Sequence, residues 1–239
     1  MPNGFVNENE IVYEFSNNKN YEELNQNLQN VLLTVNNNII PNSYKVRKIG
    51  GANKADFSIL LDDKEIYISI KKGSGNSLHQ ESIEDFISFL DNFIESDESV
   101  FNDLRFYIWG DGSLNGVAPI VNRMSASELK IKFPSLIQNI QLYFNKHQNE
   151  LARRFIVDGA VSKNKADYLL YGDKMNCSIV AENKILEYVK SKEKKPLSIG
   201  ILTFQAWNRN LSGIPNKENR RGQIQIKWGT LENDLKQII

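Results

Sequence analysis

The chain has 239 residues, 41% hydrophobic and 24% charged, which suits one globular domain with a substantial core. A single cysteine, Cys177, excludes an internal disulfide and any Cys-cluster zinc site; two histidines, His79 and His147, argue against a His-based metal centre or triad. The 29 Lys and Arg balance 29 Asp and Glu, which argues against a generic polyanion binder, and no run has the length of a membrane span or the form of a signal peptide. A soluble cytoplasmic protein is expected, and the abundance of Asn, Ile and Lys points to an AT-rich bacterial genome. Charge is uneven along the chain. Residues 1–100 hold 8 Lys and Arg against 16 Asp and Glu (net −8), and residues 190–227 hold 9 against 2 (net +7). Such asymmetry suggests one basic face for a polyanion and a separate acidic surface.

In chain order, residues 1–19 are polar and Asn-rich and read as a loosely tied arm. Tyr21 to Val35 reads as a helix whose apolar stripe is Tyr21, Leu24, Leu28, Val31, Leu32 and Val35. Glu22 and Glu23 in its first turn suit the helix dipole. Tyr44 to Ile49 reads as a strand entering the Gly50-Gly51 bend. Two alternating segments follow: Ala55 to Leu61, with Asp56 and Ser58 on one face, and Ile66 to Lys71, with Ser69 and Lys71 on one face. If Asp63-Lys64 forms the two-residue loop, Asp62 pairs with Glu65, Asp56 lies opposite Lys71, and Ser58 lies opposite Ser69. An acid, a second oxygen ligand and a lysine on adjacent strand ends suit metal-dependent phosphodiester hydrolysis. The same residues also suit an ordinary surface hairpin with one cross-strand ion pair.

Residues 72–77 read as a loop without Walker A spacing, and Ser77 to Gln80 fits a capping box opening a helix. That helix buries Ile83, Phe86, Ile87, Leu90, Phe93 and Ile94. The loop, with Lys72 and Asn76, could hold a DNA phosphate or be a plain connection. His79 lacks an orienting partner in the sequence and reads as structural. Leu104 to Trp109 reads as a core strand, Ser125-x-x-Glu128 as the start of a short helix, and Leu136 to Phe155 as one long helix or two. Ala166 to Tyr171 reads as a strand and Ser178 to Lys190 as a helix. Leu197 to Phe204 reads as an apolar strand, Gln205 to Arg221 as a polar excursion, and Gly222 to Trp228 as a returning strand. On that strand Gln223, Gln225 and Lys227 share one face, and Ile224, Ile226 and Trp228 share the other. Amides and cations on a β-ribbon suit base readout in a major groove, and a solvated hairpin is the plainer alternative.

Gly50-Gly51-Ala52-Asn53-Lys54-Ala55-Asp56 followed by Ser69-Ile70-Lys71 resembles the PD-(D/E)xK nuclease core, and within it the MspI-like Type II restriction endonucleases. Those enzymes carry G-G-x-x-K-x-D and then N-x-K or Q-x-K; here the neutral Ser69 stands at the Asn/Gln place. Their ends close with M-Q-F-K-G-like residues, matched here by Ile224-Gln225-Ile226-Lys227-Trp228-Gly229. The resemblance implies an α/β fold, a mixed β-sheet flanked by helices with a C-terminal β-ribbon. It would form a single nuclease domain over 1–239, with a core at 20–110, a helical block at 125–160 and a ribbon at about 197–229. It implies Mg²⁺-dependent hydrolysis of double-stranded DNA at a short specific sequence, leaving 5′-phosphates, and a cognate DNA methyltransferase in the same system. Asp56 would bind the metal with Ser69 and the Ile70 carbonyl, and Lys71 would position the water. The family's Tyr-Glu-like or Asn-Glu helix pair maps to Tyr21-Glu22, which makes Glu22 the second carboxylate, with Glu81 the alternative. Gln225 and Lys227 would read bases; Gln223, Arg209, Asn210, Asn219, Arg220 and Arg221 would make further DNA contacts. A repair or structure-specific nuclease, or a DNA-binding module without activity, stays open on the same core.

Overall fold

The computed structural model describes residues 4–18, 20–51, 53–73, 77–119, 123–160, 163–192, 196–207 and 221–238. In chain order the elements begin with α1 (Gly4–Asn17), a 3-10 turn (Tyr21–Glu23), α2 (Gln26–Val35), β1 (Tyr44–Lys48), β2 (Phe57–Leu61), β3 (Lys64–Lys71) and β4 (Ser77–Ser82). Then come α3 (Ile83–Phe93), α4 (Glu98–Trp109), α5 (Ala126–Lys132), α6 (Pro134–Lys146), α7 (Gln148–Arg153) and a π-helical turn (Arg154–Asp158). The last are β5 (Tyr168–Asp173), β6 (Asn176–Ala181), α8 (Glu182–Ser191), β7 (Ser198–Ile199), β8 (Leu202–Ala206), β9 (Gln223–Lys227) and α9 (Leu231–Ile238). The chain divides into two compact units: Met1–Asn76 with Ile156–Tyr188 and Gly229–Ile239, and Ser77–Phe155 with Val189–Trp228.

The first unit is built on a five-stranded mixed sheet of order β1-β2-β3-β5-β6. β1, β2 and β3 run antiparallel, β5 is parallel to β3, and β6 is antiparallel to β5. The parallel pair is fastened at its start by Asp167, whose carboxylate accepts from Tyr67 N (2.8 Å) and whose own N donates to Tyr67 O (2.8 Å). The K-A-D at 165–167 thus serves strand pairing. On one face, Ile11 and Phe15 of α1 and Leu28, Val31, Leu32 and Val35 of α2 pack with Phe57, Ile59, Ile66, Ile68 and Ile70 of the sheet. The α2 positions fall at i, i+3, i+4 and i+7, one helical face.

The N-terminal arm is therefore a helix. Its buried residues Asn7, Ile11 and Phe15 recur every four positions, a narrow stripe beneath a polar surface. Phe15 stacks on Phe57 (ring centroids 6.0 Å), and Asn7 Nδ2 donates to Gly172 O (2.8 Å). Lys48 of β1 donates to Asn9 Oδ1 and lies over the Phe5 ring (4.1 Å).

The second unit carries a four-stranded sheet of order β4-β9-β8-β7, with antiparallel pairs β4/β9, β9/β8 and β8/β7. Residues 77–82 form a strand, and the helix begins only after Ser82, whose Oγ accepts from Asp85 N (3.0 Å). Ser82-x-x-Asp85 offers the cap that the sequence also offered at Ser77. Phe93, expected in the core, is 76% exposed at the helix end. Leu104 to Trp109 lies in α4: Val100, Phe101, Leu104, Tyr107 and Ile108 are buried at helical spacing behind the Asp97 N-cap, and this period outweighs the strand preference of Phe-Tyr-Ile-Trp. Residues 176–181 form β6, joined to β5 by a turn in which Asp173 Oδ1 accepts from Met175 N and Asn176 N (both 3.0 Å). The helix expected from Ser178 therefore begins at Glu182.

Phe15 is the largest buried side chain of α1. Phe15→Ala is expected to cost about 3–5 kcal/mol of unfolding free energy, as burial of a large aromatic is lost and a cavity is left. Urea denaturation would measure it, and a loss under 1 kcal/mol would show that α1 is not docked as described.

Candidate active site

The β2–β3 hairpin closes through Asp62-Asp63, with Leu61 opposite Lys64, Ser58 opposite Tyr67 and Phe57 opposite Ile68. Asp62 has φ +50°, a left-handed conformation that Asp tolerates better than most residues. The pairing is thus displaced by two residues from the expected one. A shift of two keeps every side chain on its face. Asp56 now lies across from Ser69, not Lys71. Its N donates to Ile68 O (2.9 Å), and its Oδ2 accepts from Ser69 Oγ (3.1 Å) and from Ile70 N (2.5 Å). Lys71 Nζ donates to the Ile70 carbonyl (3.0 Å). Ser69 is buried and Asp56 and Lys71 are half-buried, so one carboxylate oxygen is clamped and the hairpin end stays open to solvent. Ser58 lies elsewhere: its Oγ donates to Glu65 Oε1 (2.7 Å).

Two further charges share this field. Burial and the Asp56 carboxylate push the Glu8 carboxyl of α1 above the usual range, with Lys71 and Lys48 opposing them. The Lys54 ammonium is pushed down to about 7 by its enclosure and by Lys71, with Asp56 opposing. Two acids and two lysines therefore converge at the hairpin end, each acid and each lysine set against a like charge.

The second-carboxylate candidates named from the sequence are placed otherwise. Glu22 is exposed in the 3-10 turn. Glu81 lies in the other unit, buried, with Oε1 against His79 Nε2 (2.9 Å) and Arg154 Nε (3.0 Å) and Oε2 against Arg154 Nη2 (2.5 Å). Burial pulls the Glu81 carboxyl upward, but the His79 and Arg154 hydrogen bonds outweigh it and hold it below the usual range. His79 thus has a buried partner, and both Glu81 oxygens are engaged by His79 and Arg154.

Of the expected DNA contacts, Lys72 pairs with Asp173 (2.9 Å) on the surface. Arg221 pairs with the buried Asp111 (2.8 Å) and lies near the Trp109 ring. Gln223, Gln225 and Lys227 share one face of β9, opposite Ile224 and Ile226; Gln223 and Lys227 are half-buried and Gln225 is buried. Asn76, Arg209, Asn210, Asn219 and Arg220 lie outside the described residues. Among the described residues no three His, Cys, Asp or Glu form a cluster that could hold a metal ion. The hairpin end offers two carboxylates with a backbone carbonyl and a hydroxyl instead.

No protein-family model matches the chain, and no curated protein matches it. Among solved structures it is similar to restriction endonuclease MspI in complex with its cognate DNA, at 16% identity and a TM-score of 0.61, over 94% of this chain and 88% of that one. The chain has the MspI restriction-endonuclease fold. A mixed sheet flanked by helices was legible in the sequence, and in this fold it holds the Asp56–Lys71 hairpin at its centre.

The sequence reading missed Glu8 and Lys54. Asn7-Glu8 is itself an Asn-Glu pair on a helix, but the stripe that docks it, Asn7, Ile11 and Phe15, is too sparse to mark the helix in the sequence. Lys54 is the lysine of the K-x-D triplet. The buried Glu81 pair is expected to be structural. Arg154→Met should leave Glu81 uncompensated and cost about 3–5 kcal/mol, whereas Glu22→Gln should stay within about 0.5 kcal/mol. Denaturant melts of the two variants compare them directly, and equal stabilities would contradict the assignment.

Proposed function

We propose that the chain is a Type II restriction endonuclease that uses Mg²⁺ to hydrolyse one phosphodiester per strand at a short, specific double-stranded DNA sequence. The observation that supports this best is the convergence of Glu8, Asp56, Lys54 and Lys71 on the end of a hairpin in a chain with the MspI fold. The donor set fits a hard cation. Glu8, the unclamped oxygen of Asp56, the Ile70 carbonyl and the Ser69 hydroxyl are all oxygens, and Mg²⁺ needs only one or two carboxylates because it keeps several waters. Burial first, and then the neighbouring Asp56 carboxylate, raise the Glu8 carboxyl. When bound, the ion supplies a polarised water and neutralises charge on the phosphate.

The chain's own groups do the rest. Ser69 Oγ and Ile70 N hold Asp56 in one orientation, so that its other oxygen faces the site. Lys71 brings an ammonium to the Ile70 carbonyl, where it can orient the attacking water and stabilise the extra negative charge of the five-coordinate phosphorus. Lys54 adds a second positive group. Water oxygen bonds to phosphorus, the P–O3′ bond breaks, and the phosphate stays on the 5′ end. The polar face of β9, with Gln223, Gln225 and Lys227, is the readout surface. No described helix is long and apolar enough to cross a membrane. A bacterial cytoplasmic setting and a cognate methyltransferase belong to the same proposal.

Plasmid DNA with Mg²⁺ is expected to give discrete bands whose ends carry 5′-phosphates, and EDTA should stop the reaction. Asp56→Asn, Lys71→Ala and Glu8→Gln should each lower the rate by about 10²-fold or more, as loss of a charge-stabilising group does. Glu22→Gln should cut within a few-fold of the parent. Full activity of Glu8→Gln, or a smear in place of bands, would count against the assignment.

A further inference from the structure

The outward face of the second sheet carries a joined set of side chains that the catalytic account does not use. Gln80 of β4, Gln225 of β9 and Gln205 of β8 are direct cross-strand neighbours. Gln205 Nε2 donates to Gln225 Oε1 (2.9 Å), Gln225 Nε2 donates to Ser77 Oγ (3.1 Å), and Gln80 Nε2 donates to the same Ser77 Oγ (3.1 Å). A bulge between Ser77 and His79 makes this possible. Leu78 and His79 are consecutive and both buried, so Ser77 and Gln80 both reach the outward face.

Counting donors and acceptors defines what the set presents. Ser77 Oγ accepts twice, which leaves its O–H to donate away from the set. Gln225 is left with one acceptor lone pair on Oε1 and one N–H on Nε2. A side-by-side acceptor and donor is the pattern that reads adenine N6 and N7 in a major groove. Which of the two atoms sits on which side is decided by the neighbours of Gln225, and it is only 8% exposed, so solvent has little part in that decision.

We infer that Gln205 is a specificity-positioning residue: its amide N–H pins the orientation of the Gln225 amide and so fixes which base Gln225 accepts. This inference rests on the proposed sequence-specific nuclease. A glutamate at 205 can only accept, so the Gln225 amide would turn over, donating to it from Nε2 and accepting from the Ser77 hydroxyl at Oε1. A leucine at 205 can do neither and would leave both orientations open.

The test is cleavage of a randomised duplex library with Mg²⁺ by the full chain, sequencing the cut ends, with thermal melts confirming that each variant is folded. The parent should yield a defined motif. Gln205→Leu should admit a second base at one position, with discrimination there falling on the order of tenfold. Gln205→Glu should prefer a different base at that same position, a change that a purely structural residue would not produce. If both folded variants keep the parent motif, the inference is overturned and the nuclease proposal stands. If both lose cutting on every sequence, Gln205 acts on affinity or chemistry and the inference is again overturned. If the parent cuts with no motif, the inference and the sequence-specific reading fall together.

Discussion

The arrangement at the hairpin end depends on the pair of hydrogen bonds that Ser69 Oγ and Ile70 N make to one oxygen of Asp56. A carboxylate on a strand end has free rotation about two bonds. Two donors from the facing strand remove most of that freedom and leave the second oxygen in a defined direction. Ser69 can do this because it is small, buried and able to donate while keeping acceptor capacity. The neutral hydroxyl at a place where an acid or amide is usual is therefore a positioning group for the neighbouring acid. The carboxylate that faces Asp56 electrostatically, Glu8, comes from a different element, α1.

That arrangement has a topological requirement. Glu8 is 48 residues from Asp56 along the chain and is brought near it only by packing. The stripe Asn7, Ile11, Phe15 presses α1 onto the sheet, the Asn7 amide ties it to Gly172 at the end of β5, and Lys48 ties it to β1. Each contact is on a different strand of the same sheet. Glu8 is thus held by the core of the first unit, whereas Asp56 and Lys71 are held by local hairpin geometry.

This division explains what could be read from the sequence. The hairpin was legible because strand alternation and the G-G-x-x-K-x-D…S-x-K spacing are local, and a register error of two residues left its faces intact. The loop residue could not be chosen without knowing which position takes a positive φ. The α1 helix was not legible, since three buried residues among fourteen give little periodic signal and Asn7 looks polar on the page. Leu104 to Trp109 went astray for the opposite reason: a short apolar aromatic run matches both periods, and only the positions before it, from Asp97, decide. Arg221 was legible as a cation, but its ion pair with buried Asp111, 110 residues away, was not.

The charges at the hairpin end follow one rule. Glu8 is driven toward its protonated form by burial and then by Asp56, and Lys54 toward its neutral form by enclosure and then by Lys71. Each group would be fully charged in water. A fold gains nothing in stability by gathering like charges in this way, so the arrangement is better explained by what enters the site than by what holds it together. A divalent cation beside Glu8 and Asp56 would favour the carboxylate at Glu8. A phosphate beside Lys54 and Lys71 would favour the ammonium at Lys54. The cation and the phosphate also attract one another, so each would strengthen the binding of the other, with Glu8 and Lys54 the two displaced groups that respond. The proposed site is electrostatically complete only when both are present, which would confine the proposed hydrolysis to the moment when DNA and metal meet in it.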